Sequence, residues 1–528
     1  YRLVKGAGSL YRDEAGTAWT ALGSLANGSV YASFITLNNW CLIADGGRIR
    51  KTDGTTVYFA GMTAPLGTPT NDGFVAGGSL TASADYWWLY RFYSSVFSEH
   101  SNMSPVSASI NVGTNTAWIG TVPAQAIESG VDFIEYGRTK ANVSGFYYRE
   151  GSIAYVGAAV TATLQVADSA LGELWENDSF PVGSARYLAG PHLDRAFAAG
   201  DDDNPFRVYW TEPGRPDAWR TDEADDAAKA RFPITGIILA FDKLLTATQE
   251  RAFELVETDL SDIPFAFHEF PSDVGFLNHW TLVSYRNVLY FLAREAVYAF
   301  NMNTFETISD EPKVNNLPAG IRKVLIRDVN KDQVVNAFGG FFREDEQEWY
   351  WLLLPRAGQT QKDLVLIFDA SNGCWWRFEY PITLNVLFRM KATATDKWEL
   401  WAGGYGGTIY RMNTGNNDAG SAIPCRWLGH WEDFGDPTAQ KIVQRAELMA
   451  GSADSAGTLA FDLRRNFRTV SFFAETRAVT SADPSLWFRG PATKSKVVQV
   501  RLGGTVSSGN RVRVQAIDLH GIMVGFEE

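Results

Sequence analysis

Three cysteines and six histidines in 528 residues leave little material for a disulfide framework, a zinc site or histidine-based catalysis. Cys41, Cys374 and Cys425 are scattered and sit beside Trp or strand-like residues, so buried free thiols are expected. The histidines (His100, His192, His268, His279, His430 and His520) are dispersed, with no two at a helical or strand ligand spacing, and His279 before Trp280 reads as a packing residue. No run of about 18 apolar residues exists, so no membrane-spanning segment is expected. The opening YRLVKGAGSLYRDE carries charge and has no apolar core, so it does not read as a signal peptide. Gly-Lys-Ser/Thr, HExxH and G-x-S-x-G motifs are missing, which removes the usual signatures of P-loop, zincin and hydrolase chemistry. A net charge of −13 argues against a general nucleic-acid binder, which needs a basic face toward phosphates. The sequons at Asn27, Asn142 and Asn177 matter only in a secreted eukaryotic chain.

What is abundant is aromatic. Eighteen Trp, 20 Tyr and 33 Phe favour half-buried strands, and 48 Gly with 20 Pro fit many short elements joined by tight turns. The stretch VLIFDASNGCWWRFEYP (Val365 to Pro381) shows the unit: an apolar strand, a turn at Ala370–Gly373, then an aromatic strand. Similar units run from Asn39 to Gly61, Phe206 to Trp219, Ile234 to Leu255, His279 to Asn301, Glu348 to Glu379 and Lys397 to Asn416. Ile234 to Leu255 reads as two apolar strands around a polar bend, and His279 to Asn301 as three strands broken at Tyr285–Asn287 and Arg294–Glu295. The recurrence, at roughly 40 to 55 residues, predicts an all-β chain built on a β-propeller of about six blades.

One interruption breaks the series. From 78 to 178, Tyr86, Trp88, Tyr90 and Phe92 alternate as a half-buried strand does, and polar turns separate further strands. This predicts an inserted fibronectin type III or immunoglobulin-like β-sandwich. The expected domains are a first blade region at 1–77, the insertion at 78–178, the remaining blades at 179–424, and a C-terminal β-sandwich or added sheet at 425–528. DEADDAAKAR (Asp222 to Arg231) is the one clearly helix-compatible stretch, expected as a short exposed helix or loop.

The carboxylates give no catalytic pattern. Tyr11–Trp19 comes near a sialidase-type Asp box, but Asp13 to Gly16 is one residue too long, and Asp369 to Gly373 is wider still. Asp328, Asn330 and Asp332 alternate as a calcium loop begins, yet lack its Gly and final Glu, so a solvated turn is expected. Asp201, Asp202 and Asp203 read as a repulsive surface loop, and Glu344, Asp345 and Glu346 as a charged loop that keeps edges soluble. No catalytic, cofactor or metal residue is assigned.

The order of parts resembles a known class. GRIRKTDGTTVYFAGMTAP (Gly47 to Pro65) leads into the YRF…SEHSNMSPVS sandwich; RYLAGPHLDRAFAAGDDDNPFRVYWTEPGRPDAW, NVLYFLAREAVYAFN and LVLIFDASNGCWWRFE follow. This resembles the propeller-bearing structural proteins of bacteriophage tails, most of all the nozzle or hub subunits of short-tailed phages. The resemblance runs from about Gly47 to Asn416 and is strongest from Arg186 to Glu379. It implies a non-enzymatic virion protein: a homo-hexameric ring below the portal and head–tail adaptor proteins, contacting tail fibres or tailspikes. Double-stranded DNA would pass without specific binding, and the chain would be assembled in the bacterial host cytoplasm. The alternative is a propeller glycosidase, depolymerase or receptor-binding tail protein acting on host surface sugars, motivated by aromatic rings that stack on sugars.

Overall fold

The VLIFDASNGCWWRF stretch folds as a hairpin. Lys362–Asp369 and Cys374–Phe378 pair antiparallel, with Phe368 opposite Trp375 and Ile367 opposite Trp376. Asp369 closes the turn: its Oδ1 accepts the backbone N–H of Ser371 (3.0 Å) and Asn372 (3.3 Å), and Gly373 takes the left-handed conformation at φ +65°. In the computed structural model, which describes residues 2–13, 18–28, 31–220, 225–226, 232–260, 263–310, 320–344, 347–391, 397–414, 424–453, 457–479, 485–489, 493–505 and 512–525, this hairpin is the outer half of one four-stranded meander.

Five such meanders follow one another. The first blade is Ser33–Leu37, Trp40–Ala44, Arg50–Thr52 and Val57–Phe59. The second is Tyr187–His192, Arg195–Ala199, Arg207–Trp210 and Asp225–Asp226; the third is Gly236–Ala240, Lys243–Ala247, Ala252–Leu260 and Ile263–Glu269. The fourth is Val283–Tyr285, Val288–Leu292, Val297–Phe300 and Phe305–Thr307; the fifth is Phe338–Glu344, Gln347–Pro355, Lys362–Asp369 and Cys374–Phe378. Leu384–Lys391 begins a three-stranded sheet with Trp398–Gly404 and Ile409–Arg411, and Arg2–Gly6, Ser9–Asp13 and Thr20–Ser24 form another at the start.

Consecutive meanders pack face to face, which makes this a β-propeller. Leu42 and Ala44 of the first blade meet Leu188, Ala196 and Ala198 of the second. The other face of the second blade, Phe197, Ala199, Val208 and Trp210, meets Ile237, Leu244 and Phe265 of the third. Leu245 and Ala247 then meet Leu289 and Phe291, and Tyr290 and Leu292 meet Phe341, Tyr350 and Leu352. Adjacent residues such as Phe197 and Ala198, or Leu244 and Leu245, point to opposite sides and are buried in different layers. That is why these strands read as unbroken apolar runs.

The chain divides into two compact units, 1–378 with 385–399, and 379–384 with 400–528, and the boundary falls inside the three-stranded sheet begun by Leu384–Lys391. Between the first and second blades lies the insertion. Trp88–Ser94 pairs with Glu99–His100 and Phe133–Arg138, and Phe133–Arg138 with Tyr148–Ala154; Ala117–Val122 pairs with Thr70–Val75 and Val160–Leu164. Tyr86, Trp88, Tyr90 and Phe92 are all buried in one core with Trp118, Ile134 and Tyr155, so the two sheets share a hydrophobic layer. In the second unit, Pro424–Glu432, Val498–Thr505, Gly457–Arg465 and Ser471–Val479 form one sheet, and Gln440–Ala453 pairs with Ser485–Arg489, Lys494–Ser495 and Val512–Gly525 in another. Phe461, Leu463, Leu448 and Phe488 join their cores.

Several expectations change. Thr70–Val75, placed in the first blade region, belongs to the insertion, because its partner is Ala117–Val122. Ile234 to Leu255 holds the start of a third strand: Phe241 and Asp242 turn left-handed (φ +58° each), and a further turn at Thr248–Arg251 leads to Ala252. Within Asp222 to Arg231, Asp225–Asp226 pairs with Arg207 and Val208 as a short outer strand instead of a helix; the rest lies outside the described residues. Among the described residues the one α-helix is at Arg322–Arg327, where the sequence carries no cap signal.

Trp375 is half-buried, donates its indole N–H to the Ile308 carbonyl (2.7 Å) and lies against the fourth blade's layer, whereas Trp376 is 47% exposed. Trp375→Ala is therefore expected to cost about 3 kcal/mol and Trp376→Ala less than about 1 kcal/mol in urea unfolding. Equal midpoints for the two variants would contradict this hairpin's place in the propeller.

Candidate functional site

The leading ends of the inner strands converge on a group of aromatic rings. Tyr31 precedes the first blade, Tyr187 opens the second, His279 and Trp280 precede the fourth, and Phe338 opens the fifth. Tyr31 meets Trp280 edge to face at 5.1 Å and Phe338 at 5.6 Å. Tyr187 stacks on His279 at 4.7 Å, and Trp280 lies parallel to Phe338 at 6.3 Å. Residues from well-separated blades thus touch one another at the leading ends of their first strands.

Polar groups fix this mouth. Lys362, first residue of the fifth blade's third strand, is buried; its Nζ donates to the Tyr31 hydroxyl, to Asn385 Oδ1 (2.7 Å) and to the Asn336 carbonyl (3.2 Å). Tyr31 in turn donates to Asn385 Oδ1 at 2.8 Å. This joins the segment between the opening sheet and the first blade to Leu384–Lys391, which follows the fifth. Asn278 holds the fourth and fifth blades: its Nδ2 donates to the carbonyls of Val335 (2.9 Å) and Ala337 (3.0 Å), and its Oδ1 accepts the Thr281 N–H. Burial pushes the Lys362 ammonium down to about 7 and the His279 imidazole down to about 4. His279 is therefore a neutral packing ring at physiological pH, with its Nδ1 facing the Ile237 N–H.

The other candidates serve structure. Asp201 is buried, which corrects its reading as part of a repulsive surface loop: burial alone would raise its carboxyl, but hydrogen bonds from Ser184 (2.6 Å), Tyr209 (2.5 Å), the Asp203 N–H and Asn204 hold it low. Asp202 and Asp203 remain exposed. Asn330 and Asp332 sit in a turn closed by the Asp332 N–H on Asn330 Oδ1, while Asp328 faces Arg377 at 3.6 Å. Asp13 pairs with Arg2 at 3.2 Å. His100 faces Asp178 at 3.2 Å, His192 lies near Phe197, His430 faces Glu432 and His520 lies beside Trp487. Burial raises the Cys41 thiol to about 11 and also raises Cys374. Asn142 and Asn177 use their side-chain oxygens on the N–H groups of Asp85 and Met103. The side chains of Cys425, Glu344, Asp345 and Glu346 lie outside the described residues. No three metal-ligating side chains gather among the described residues.

Among the described residues two carboxyls are raised by burial, Glu150 and Asp217, and each is opposed by a cation: Arg138 at 2.7 Å from Glu150, and Lys51 against Asp217. Glycosidases need two carboxyls facing one sugar, about 5–9.5 Å apart, with one free to give up a proton. Glu150 lies within the insertion and Asp217 in the loop between the third and fourth strands of the second blade, where it also accepts the Gly61 N–H.

The axial residues were not legible in advance. Lys362 stands at the end of a polar stretch before an apolar strand, and Tyr31 and Asn385 meet across 354 positions that no local pattern links.

The Lys362 burial has a measurable sign. The unfolded lysine titrates near 10.5 and the folded one near 7, so between these values the unfolded chain holds more protons and stability rises with pH. Relative to Lys362→Met, the protein is expected to gain up to about 1.4 kcal/mol per pH unit between about pH 7 and 10, with no difference in slope below that window. Urea titrations of both proteins across the range check it; parallel pH profiles would mean that Lys362 keeps an ordinary pKa.

No protein-family model matches the sequence, and no curated protein matches it. Among solved structures the chain is similar to AztD of Citrobacter koseri, at 5% identity over 62% of this chain and 79% of that one, with a TM-score of 0.27. It is also similar to a glycoside hydrolase family 43 arabinoxylan arabinofuranohydrolase from Bacillus subtilis, solved in complex with cellotetraose, at 10% identity over 77% of this chain and 93% of that one, with a TM-score of 0.18. At such values neither likeness bears on function, and the propeller rests on the strand order and inter-blade layers described above.

Proposed function

We propose that this chain is a non-enzymatic structural protein of a bacteriophage tail, a nozzle or hub subunit that assembles with itself into a ring of about six copies. Its neighbours are the portal or head–tail adaptor above and tail fibres or tailspikes at the side, and the ring extends the channel through which the genome is retained and ejected. The observation that carries this reading is the use of the raised carboxyls. Glu150 and Asp217 are sealed against Arg138 and Lys51 and hold pieces of the fold together, where a glycan-cleaving propeller needs a proton-donating acid in a cleft.

The aromatic mouth bears on where DNA would travel. Tyr31, Trp280 and Phe338 touch one another across the blades, so the conduit in this reading lies between copies around the ring. A chain of net charge −13 gains no counterion-release affinity for a passing duplex and lets it slide.

Electron cryo-microscopy of particles containing the chain is expected to find a ring of about six copies coaxial with the tail. The purified chain is expected to leave capsule and lipopolysaccharide uncleaved. Copies standing singly or in threes on peripheral fibres, or cleavage of either polysaccharide, would overturn the reading in favour of a receptor-binding protein or depolymerase.

A further inference from the structure

Among the described residues no sheet crosses from the insertion to the propeller, so the two modules are joined by two chain crossings and by side chains. Those side chains gather in one place. Phe97, in the turn between Trp88–Ser94 and Glu99–His100, wedges between Trp40 (5.4 Å) and Tyr58 (4.9 Å) of the first blade, edge to face with both. Its own ring lies over Gly130, where an added Cβ would come within 2.5 Å of it. Lys51 Nζ sits 3.3 Å from the centroid of the Phe97 ring and 4.5 Å from that of Trp40, while pairing with Asp217 of the second blade's loop. Asp217 Oδ1 also accepts the Gly61 N–H at 2.8 Å, at the point where the chain leaves the first blade.

An ionic chain continues from this wedge. Arg215 donates from Nε (2.8 Å) and Nη2 (2.6 Å) to both oxygens of Glu99, and from Nη1 to Asp178 (2.9 Å), whose other oxygen faces His100. On the other side Arg48 of the first blade reaches Glu128 of the insertion, with Nη2 at 2.9 Å, and Thr63 donates to the same carboxylate at 2.6 Å. Three ties thus gather in one place: Phe97 with Lys51, Arg215 with Glu99 and Asp178, and Arg48 with Glu128.

We infer that these ties form a latch that holds the insertion and the propeller as one rigid body, and that releasing the latch frees the insertion to swing on its two crossings while both modules stay folded. The physical ground is the separation of cores. The insertion's hydrophobic layer, built on Trp88, Trp118 and Tyr155, contains none of the latch residues, and neither does the layer between the first and second blades. Exchanging a whole buried ion pair for neutral groups is near neutral for stability, whereas removing one partner strands the other charge, so folding of each variant has to be read beside the geometry. The inference is independent of the phage reading: a rigid insertion suits any partner that must feel the propeller's position.

The test places spin labels at Val156→Cys in the insertion, 82% exposed, and at Asn303→Cys in the exposed turn after the fourth blade's third strand. The background carries Cys374→Ser and Cys425→Ser; Cys41, raised to about 11 by burial, stays unreactive at neutral pH. Double electron–electron resonance is expected to give one narrow distance in the full chain. The triple variant Arg48→Gln, Phe97→Ala, Arg215→Gln is expected to broaden that distribution at least twofold with near-ultraviolet circular dichroism unchanged. Glu99→Gln alone, which keeps the Phe97 wedge and the Arg48 tie, is expected to stay narrow and guards against a triple variant that fails to fold. A broad distribution in the unsubstituted chain or in Glu99→Gln, or a narrow one in a folded triple variant, would overturn the latch.

Discussion

Burial of blade strands on both faces is the constraint from which the rest of the first unit follows. A meander of four short strands has two apolar faces and can hide neither alone, so each blade is completed only by its neighbours. The alternation of Phe197 with Ala198, and of Leu244 with Leu245, between successive layers makes each strand a shared wall. Once walls are shared, the series has to close, because an unclosed end would leave a full face against water. Lys362, Tyr31 and Asn385 tie the segment before the first blade to the fifth blade and the strand that follows it.

The same constraint explains what could be read in the sequence. Runs such as LVLIFD and VLYFL signalled strands buried on both sides, and the turn residues Asp369–Gly373 and Arg286–Asn287 marked where they reverse. The all-β class, the hairpin of Val365 to Phe378 and the aromatic alternation from Tyr86 to Phe92 were therefore open to inspection. The start of the insertion was not, because Thr70–Val75 pairs with a strand more than 40 residues away and looks locally like the end of a blade. Nor was the helix at Arg322–Arg327, whose RKVLIR lacks a capping residue and owes its place to Leu325 packing beneath the fifth blade. The aromatic mouth escaped because its members come from segments that no periodicity relates.

Several charged residues of this protein serve as joints. Arg138 with Glu150 and Asp168, Arg91 with Glu135, and Arg215 with Glu99 and Asp178 each bridge segments distant in sequence. Several of these groups are buried, where desolvation works against the ion and only a fitted partner makes it tolerable. Such pairs select one arrangement of strands over near alternatives, which matters in a chain whose many similar hairpins could pair wrongly. Acidic residues at these joints are committed to neighbours, and the net negative charge that remains is a property of the surface.

The Tyr31–Asn385 bond sets the order in which the molecule can be made. A chain emerging from the ribosome at about 5–20 residues per second needs roughly 20 to 70 s to supply the 354 positions between those two residues. During that time the first blade already has one face packed by the opening three-stranded sheet, where Leu10 and Leu25 meet Ile43, while the contacts made through Tyr31 are still unmade; incomplete intermediates of this kind aggregate readily. The insertion, whose core is complete by Leu164, folds within this interval as a unit of its own. Lengthening the open loop by such an insertion adds little to the entropy of closing it, since that cost grows only with the logarithm of length. A propeller that closes late tolerates a large guest between its first two blades, provided the guest folds before the ring does.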